Sequence, residues 1–182
     1  MKFKLGLTGS MGMGKTSTAS LFEKYNCGVW NADKAVHRLY AKGGEAVKPI
    51  AELFPKAITK GSVNRTELKQ CLSEDFEKIT LLENIVHPLV SADRKKFIED
   101  TKYEINIFDI PLLFETGSNK IMDKVACVFV SKPIQMERIR SRRSMTEEQI
   151  EKIIKQYKKI KKKEKSNISQ VKKLGLVDKH GR

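Results

Sequence analysis

Lys15 and Thr16 close an octet, Gly9-Ser10-Met11-Gly12-Met13-Gly14-Lys15-Thr16, that fits G-x-x-x-x-G-K-[ST] at every place. Residues of these types at this spacing suit phosphate chemistry. Glycines let backbone N–H groups turn inward around an anion, and a helix starting there adds its positive end. The Lys15 ammonium can reach outer phosphates, and the Thr16 hydroxyl can ligate Mg²⁺. ATP is the expected anion, with residues Ser10, Met11, Gly12, Met13, Gly14, Lys15, Thr16 and Ser17 around its phosphates. A plain glycine-rich turn would explain the glycines but not Lys-Thr at the required offset. Phosphoryl transfer also needs a carboxylate near the attacking hydroxyl. Asp33 stands just past a short apolar segment, Gly28 to Trp30, where open α/β sheets place ligands. It is the candidate catalytic base or Mg²⁺ organiser; its competing role is N-cap of a helix beginning at Lys34. Asp109 ends a second apolar stretch as a carboxylate holding metal through water would.

The elements that must position these groups alternate in type. Phe3 to Thr8 reads as a short buried strand ending at glycine, and Ser17 to Tyr25 as a helix with Ala19, Leu21 and Phe22 inward. A helix is predicted from Lys34 to Ala41, stopped by Gly43-Gly44. Residues 45 to 98 offer no convincing strand. Their helical stretches are Ala46 to Phe54, Arg65 to Leu72, Phe76 to Val86 and Pro88 to Ile98, the last two parted at His87-Pro88. Strand character returns at Ile105 to Asp109 and at Val125 to Val130, the most apolar run and the expected central strand. Helices follow at Pro133 to Arg142 and Thr146 to Ile160. Strands alternating with helices predict a parallel sheet covered on both faces, a three-layer α/β/α core.

The 182 residues, 40% of them hydrophobic, suffice for one domain with a small insert. No apolar run approaches the ~20 residues that span a bilayer, and the start lacks a signal peptide's pattern. The expected location is cytoplasmic, with no membrane partner. Cys27, Cys71 and Cys127 are odd in number and widely spaced. They suit buried thiols better than a disulfide framework or a zinc site. Charge is unevenly placed: residues 132–182 hold 17 Lys and Arg against 6 acids, a surplus of 11 in a total of +14. That third can be a phosphate-binding lid, a solvated helix face, a compositional habit of the genome or a nucleic-acid track. It lacks interleaved aromatics, so no specific nucleic acid is expected.

Five segments in order resemble the dephospho-CoA kinase family: GLTGSMGMGKTST, NADKAVHRLY, VNRTELKQCLSEDFEKITLLENIVHPLV, FDIPLLFETG and SKPIQMERIRSRRSMTEEQIEKIIKQ. The resemblance implies transfer of the ATP γ-phosphoryl group to the ribose 3′-hydroxyl of dephospho-CoA. It implies a nucleotide-binding core at 1–44 and 102–131, a helical CoA-binding insert at 45–101, a lid with basic helices at 132–165, and a divergent tail at 166–182. Within it Arg65 and His87 become candidate substrate ligands, because a guanidinium suits a pyrophosphate. The competing roles are an exposed helix charge for Arg65 and the closing of a helix break for His87. Arg138 and Arg142, four apart, become lid arginines for ATP and its transition state, while Gln135 on the same helix and Gln156 on the next complete the lid match. Glu115 suits capping or an ion pair as well as substrate contact. Asn31 departs from the pattern, which has Asp there; an amide cannot take a proton. Past Gln156 the resemblance fails, and from about Ser166 the chain is expected to fray or prolong a helix, which would leave the Val125 to Val130 strand at an open edge. Two rivals remain at this point: a kinase for another nucleoside, nucleotide or small alcohol, and a non-catalytic P-loop nucleotide- or nucleic-acid-binding protein. Nothing in the sequence fixes an oligomeric state.

Overall fold

A computed structural model describes residues 2–73, 75–111 and 113–141. The chain divides into two compact units, one built on residues up to Val29 and from Tyr103 onward, the other on Trp30–Lys102.

The first unit is organised by strand β1 (Phe3–Thr8), which runs straight into the glycine octet. Helix α1 (Lys15–Lys24) leads to β2 (Gly28–Asn31). Strands β5 (Ile105–Asp109) and β6 (Lys124–Cys127) and helix α6 (Lys132–Arg140) come later in the chain. Sheet order is β2-β5-β1-β6, with β1 parallel to both neighbours. Leu7 is in register with Asp109, so the expected carboxylate stands level with the end of the phosphate-loop strand. Leu7, Ala19, Cys27 and Ile107 form a buried core, with Leu5, Phe22, Val29, Ala126 and Val128 packed around it. Full burial of Leu7 or Ile107 contributes about 1.5–3 kcal/mol each.

Three expectations change here. Leu21 was expected inside yet is 53% exposed, while Ala19 is buried. The Val125 to Val130 run is shorter than expected, since β6 stops at Cys127; among the described residues it lies at the sheet's end, not the centre, and the residues from Ser166 that bear on the open-edge expectation lie outside them. The partner of β6 runs out, because the register closes at Thr8 opposite Cys127 and Gly9 then turns away with φ 145°. Of the cysteines, only Cys27 is buried; Cys71 is half-buried and Cys127 exposed.

The second unit holds helices α2 (Ala32–Tyr40), α3 (Val47–Leu53), α4 (Arg65–Leu72) and α5 (Phe76–Asp100). A short hairpin, β3 (Ile58–Thr59) with β4 (Ser62–Val63), interrupts them where no strand was expected. Its two turn residues, Lys60 and Gly61, both have positive φ, the geometry of a tight hairpin turn. Helix starts are set by side-chain caps: Asn64 accepts from the Thr66 and Glu67 amides, and Asp75 from those of Glu77 and Lys78. A hydrogen bond from Lys78 holds the Asp75 carboxyl below its ordinary pKa.

Helix α5 corrects the predicted break at Pro88, which lies inside one 25-residue helix. A proline there lacks a donor and crowds the Asn84 carbonyl, a cost of about 3 kcal/mol. Apolar packing on both sides of it offsets that cost. Leu82, Ile85 and Val86 before it, and Leu89 and Val90 after it, join one core with Leu39, Ile50, Phe54 and Leu68.

Candidate functional site

The phosphate loop is shaped by its glycines, Gly9, Gly12 and Gly14, with φ of 145°, 79° and 96°. A Cβ on Gly9 would meet the Val128 carbonyl oxygen at 2.6 Å, so any side chain there collides with backbone. Inside the loop the Met13 amide donates to the Ser10 carbonyl at 3.2 Å. Gly14, left-handed, is the N-cap of α1 and supplies no side-chain cap. First-turn amides of this helix are thus available to an anion. Thr18 returns to the Gly14 carbonyl through both its amide and its hydroxyl, at 3.0 and 3.1 Å.

Lys15 is half-buried and its Nζ donates to the Gly9 carbonyl at 2.5 Å, which ties the ammonium to the mouth of the loop. Thr16 and Ser17 are exposed at the start of α1. Loop carbonyls are held from outside. Gln135 Nε2 donates to the Met11 carbonyl at 2.7 Å, and Arg138 Nη1 lies 3.5 Å from the carbonyls of Gly12 and Met13. The Val130 amide contacts the Met13 sulfur at 3.3 Å. Arg138 therefore stands against the loop itself. The lid resemblance included Gln135 beside the arginine of its helix but gave it no partner; the structure supplies one in the Met11 carbonyl, and Gln135 lies with Ile139 on the buried face of α6.

Asp109 is 2% exposed, on the strand beside β1. Its Oδ1 is buried and receives no hydrogen bond among the described residues, although other interactions engage the residue. The Ile110 amide donates to the Leu7 carbonyl at 3.0 Å, and the Thr8 hydroxyl to that of Pro111 at 3.2 Å, fixing this strand end against the loop strand. An acidic oxygen here and the Thr16 hydroxyl are hard donors that suit Mg²⁺. Such an ion takes one or two protein oxygens and completes its shell with phosphate and water. Glu115 is exposed.

In the second unit Asp33 is exposed in the first turn of α2, where a carboxylate complements the helix dipole. It is not the cap expected as its alternative. Asn31 is the cap, its Oδ1 accepting from the Lys34 amide at 2.8 Å. The residue that departs from the family pattern thus has a local task that an amide performs well. Arg65 is exposed at the first position of α4, and its guanidinium lies over the Tyr40 ring at 5.7 Å. Burial raises the Tyr40 pKa, with Arg65 opposing. Asp33 and Tyr40 lie at opposite ends of α2, about 10 Å apart along its axis. Asp33 and Arg65 are accordingly separate stations. His87 is exposed on α5, and with no helix break there its alternative role disappears. Arg142 and Gln156 lie outside the described residues, as do the second lid helix and the tail.

Residues 3–172 match the family described as CoaE: Dephospho-CoA kinase. The chain is 49% identical over 153 residues to a dephospho-CoA kinase of Ruegeria pomeroyi, covering 84% of this chain and 78% of that one. With the dephospho-CoA kinase of Cereibacter sphaeroides the identity is 47% over 152 residues, covering 84% and 77%. The fold is similar to that of TT1252 from Thermus thermophilus, at a TM-score of 0.73, 24% identity and coverage of 86% and 79%. It is similar too to dephospho-CoA kinase from Campylobacter jejuni, at 0.59, 20%, and coverage of 90% and 84%.

Proposed function

The chain belongs to the dephospho-CoA kinase family, and from that premise we propose how its residues share the work. The reaction is ATP-dependent phosphorylation of dephospho-CoA, in coenzyme A biosynthesis. The observation that carries this is the match over residues 3–172, which spans the phosphate loop and the helical insert alike.

Positioning and charge neutralisation are the main tasks in phosphoryl transfer. In this reading the amides of residues Ser10 to Ser17 surround the β- and γ-phosphates, and the Lys15 ammonium follows negative charge onto the bridging and terminal oxygens. Asp33 accepts the proton of the ribose 3′-hydroxyl as that oxygen attacks phosphorus in line. Arg65 and His87 hold the pyrophosphate and neighbouring phosphate oxygens of dephospho-CoA. Arg138 and Arg142 neutralise charge on the ATP side. The divalent ion that ATP chemistry implies is read as Mg²⁺, with Thr16 and Asp109 as its protein ligands; when bound, it neutralises phosphate charge. Residues 1–44 and 102–131 serve as the nucleotide-binding core, 45–101 as the CoA-binding insert and 132–165 as the lid. The location proposed is the cytoplasm; no helix of the described residues is long and apolar enough to cross a membrane.

An acceptor panel tests the reading. With ATP and Mg²⁺, ADP release is expected with dephospho-CoA and only background release with nucleosides or shikimate. Release with a nucleoside equal to that with dephospho-CoA would assign the chain another acceptor.

A further inference from the structure

Loop amides bind an anion only if their peptide planes are turned the right way, and in a trans peptide the C=O and the next N–H point in opposite directions. Whatever grips a loop carbonyl from outside therefore aims the following amide inward. The Met11 carbonyl shares its plane with the Gly12 amide, and it is gripped by Gln135 Nε2 at 2.7 Å. Gln135 is 3% exposed and lies on α6, 124 residues along the chain. Its stem packs on the same peptide: a Cβ on Gly12 would meet Gln135 Cγ at 3.2 Å, its carbonyl at 3.1 Å and Ile139 Cγ1 at 3.0 Å. The Gly12 φ of 79° fixes the plane that Gln135 holds.

We infer that Gln135 is a positioning residue for nucleotide binding: it aims the Gly12 amide at the phosphates by holding the Met11 carbonyl outward. It touches neither substrate, and it acts through the loop. The inference rests on the reading of residues 9–16 as the site of ATP phosphates. A neutral hydrogen bond contributes enough to change an affinity about three- to tenfold.

Gln135→Met keeps the volume and the packing on Gly12 but removes the donor. In Gln135→His, the ring Nε2–H restores a donor at similar reach. Titration of ADP into the full-length protein should show affinity about three- to tenfold weaker for Q135M, with a matching rise in KM for ATP. KM for dephospho-CoA should stay put, and Q135H should recover most of the loss. A Q135M protein that melts earlier but binds ADP like wild type would reduce Gln135 to a packing residue and overturn the inference. Wild-type protein that fails to bind ADP would defeat the phosphate-loop reading and this inference with it. A measurement on wild type needs no variant to fold: ADP should move the Gly12 amide resonance strongly, and a Gly12 amide unmoved at saturation would overturn the proposal.

Discussion

Lys15 spends one of its three N–H donors on the Gly9 carbonyl and so holds its charge at the loop mouth. Lys15→Ala should remove roughly 10²–10³ of turnover, by analogy with losing one preorganised transition-state donor. Circular dichroism and melting should change little, since a half-buried loop lysine packs sparsely; wild-type turnover in the variant would deny it the role. Asp33 and Arg65 should fail differently. Asp33→Asn is expected to lower kcat strongly with nucleotide affinity nearly unchanged, whereas Arg65→Ala should mainly raise KM for dephospho-CoA. Steady-state kinetics on the two variants check this, and an Asp33→Asn enzyme with intact kcat would leave Asp33 as a helix-dipole residue. Lys15 and Thr16 were legible because a contiguous octet encodes them. Asn31 as cap was obscured by Asp33, an equally good cap two residues later; only the Lys34 amide contact separates the two. Gln135 stood in the lid match, but its contact was hidden by sequence distance, since its partner lies 124 residues away.

Helix α5 carries Asp93, whose carboxylate ties two other parts of its unit together. Trp30 Nε1 donates to Oδ1 at 2.7 Å, Arg38 Nη2 donates to the same oxygen at 2.6 Å, and Arg38 Nε reaches Oδ2 at 3.2 Å. Trp30 precedes the Asn31 cap and Arg38 lies in the last turn of α2, so Asp93 braces the helix that bears Asp33. Burial acts against the Asp93 charge, but hydrogen bonds from Arg38 and Trp30 outweigh it and the pKa is lowered. A lowered carboxyl pKa stabilises the fold above the ordinary value of 3.8 and loses that contribution as pH falls through the folded value. Asp93→Ala removes the acceptor shared by Trp30 Nε1 and the Arg38 guanidinium and should cost about 1–3 kcal/mol at neutral pH. The difference from wild type should shrink in acid, below the ordinary carboxylate range. Thermal melts from neutral pH down to about pH 3 measure it, and an equal gap at every pH would exclude the ion-pair account. The α-helices and parallel strands were legible mainly from period and from Gly and Pro stops. Two elements were not. Pro88 signals a stop locally, yet the core on both sides of it carries the helix through; the hairpin at Lys60-Gly61 rests on a turn pair with no Asn or Asp to announce it.

Taken whole, the chain carries a formal charge of +14 and handles two substrates that bear phosphate anions. Long-range attraction should aid their capture and be screened by salt. KM for dephospho-CoA is expected to rise between low and physiological ionic strength, with kcat changing less; a KM indifferent to salt would make the basic surplus irrelevant to capture. The same charge should give only weak, sequence-indifferent binding to DNA, and a tight salt-resistant complex with a defined nucleic acid would contradict that. At this scale fold and reaction class were legible because five ordered segments had to coexist in one chain. The boundary between the two compact units falls at Trp30, inside a strand, where composition does not shift. The account stands or falls on where the phosphoryl group goes. ATP labelled in its γ-phosphate, incubated with the full-length protein, Mg²⁺ and dephospho-CoA, should deliver the label to the ribose 3′ position, giving coenzyme A in equal amount to the ADP formed. Label released only as inorganic phosphate, or found on any other acceptor while dephospho-CoA stays unlabelled, would contradict it.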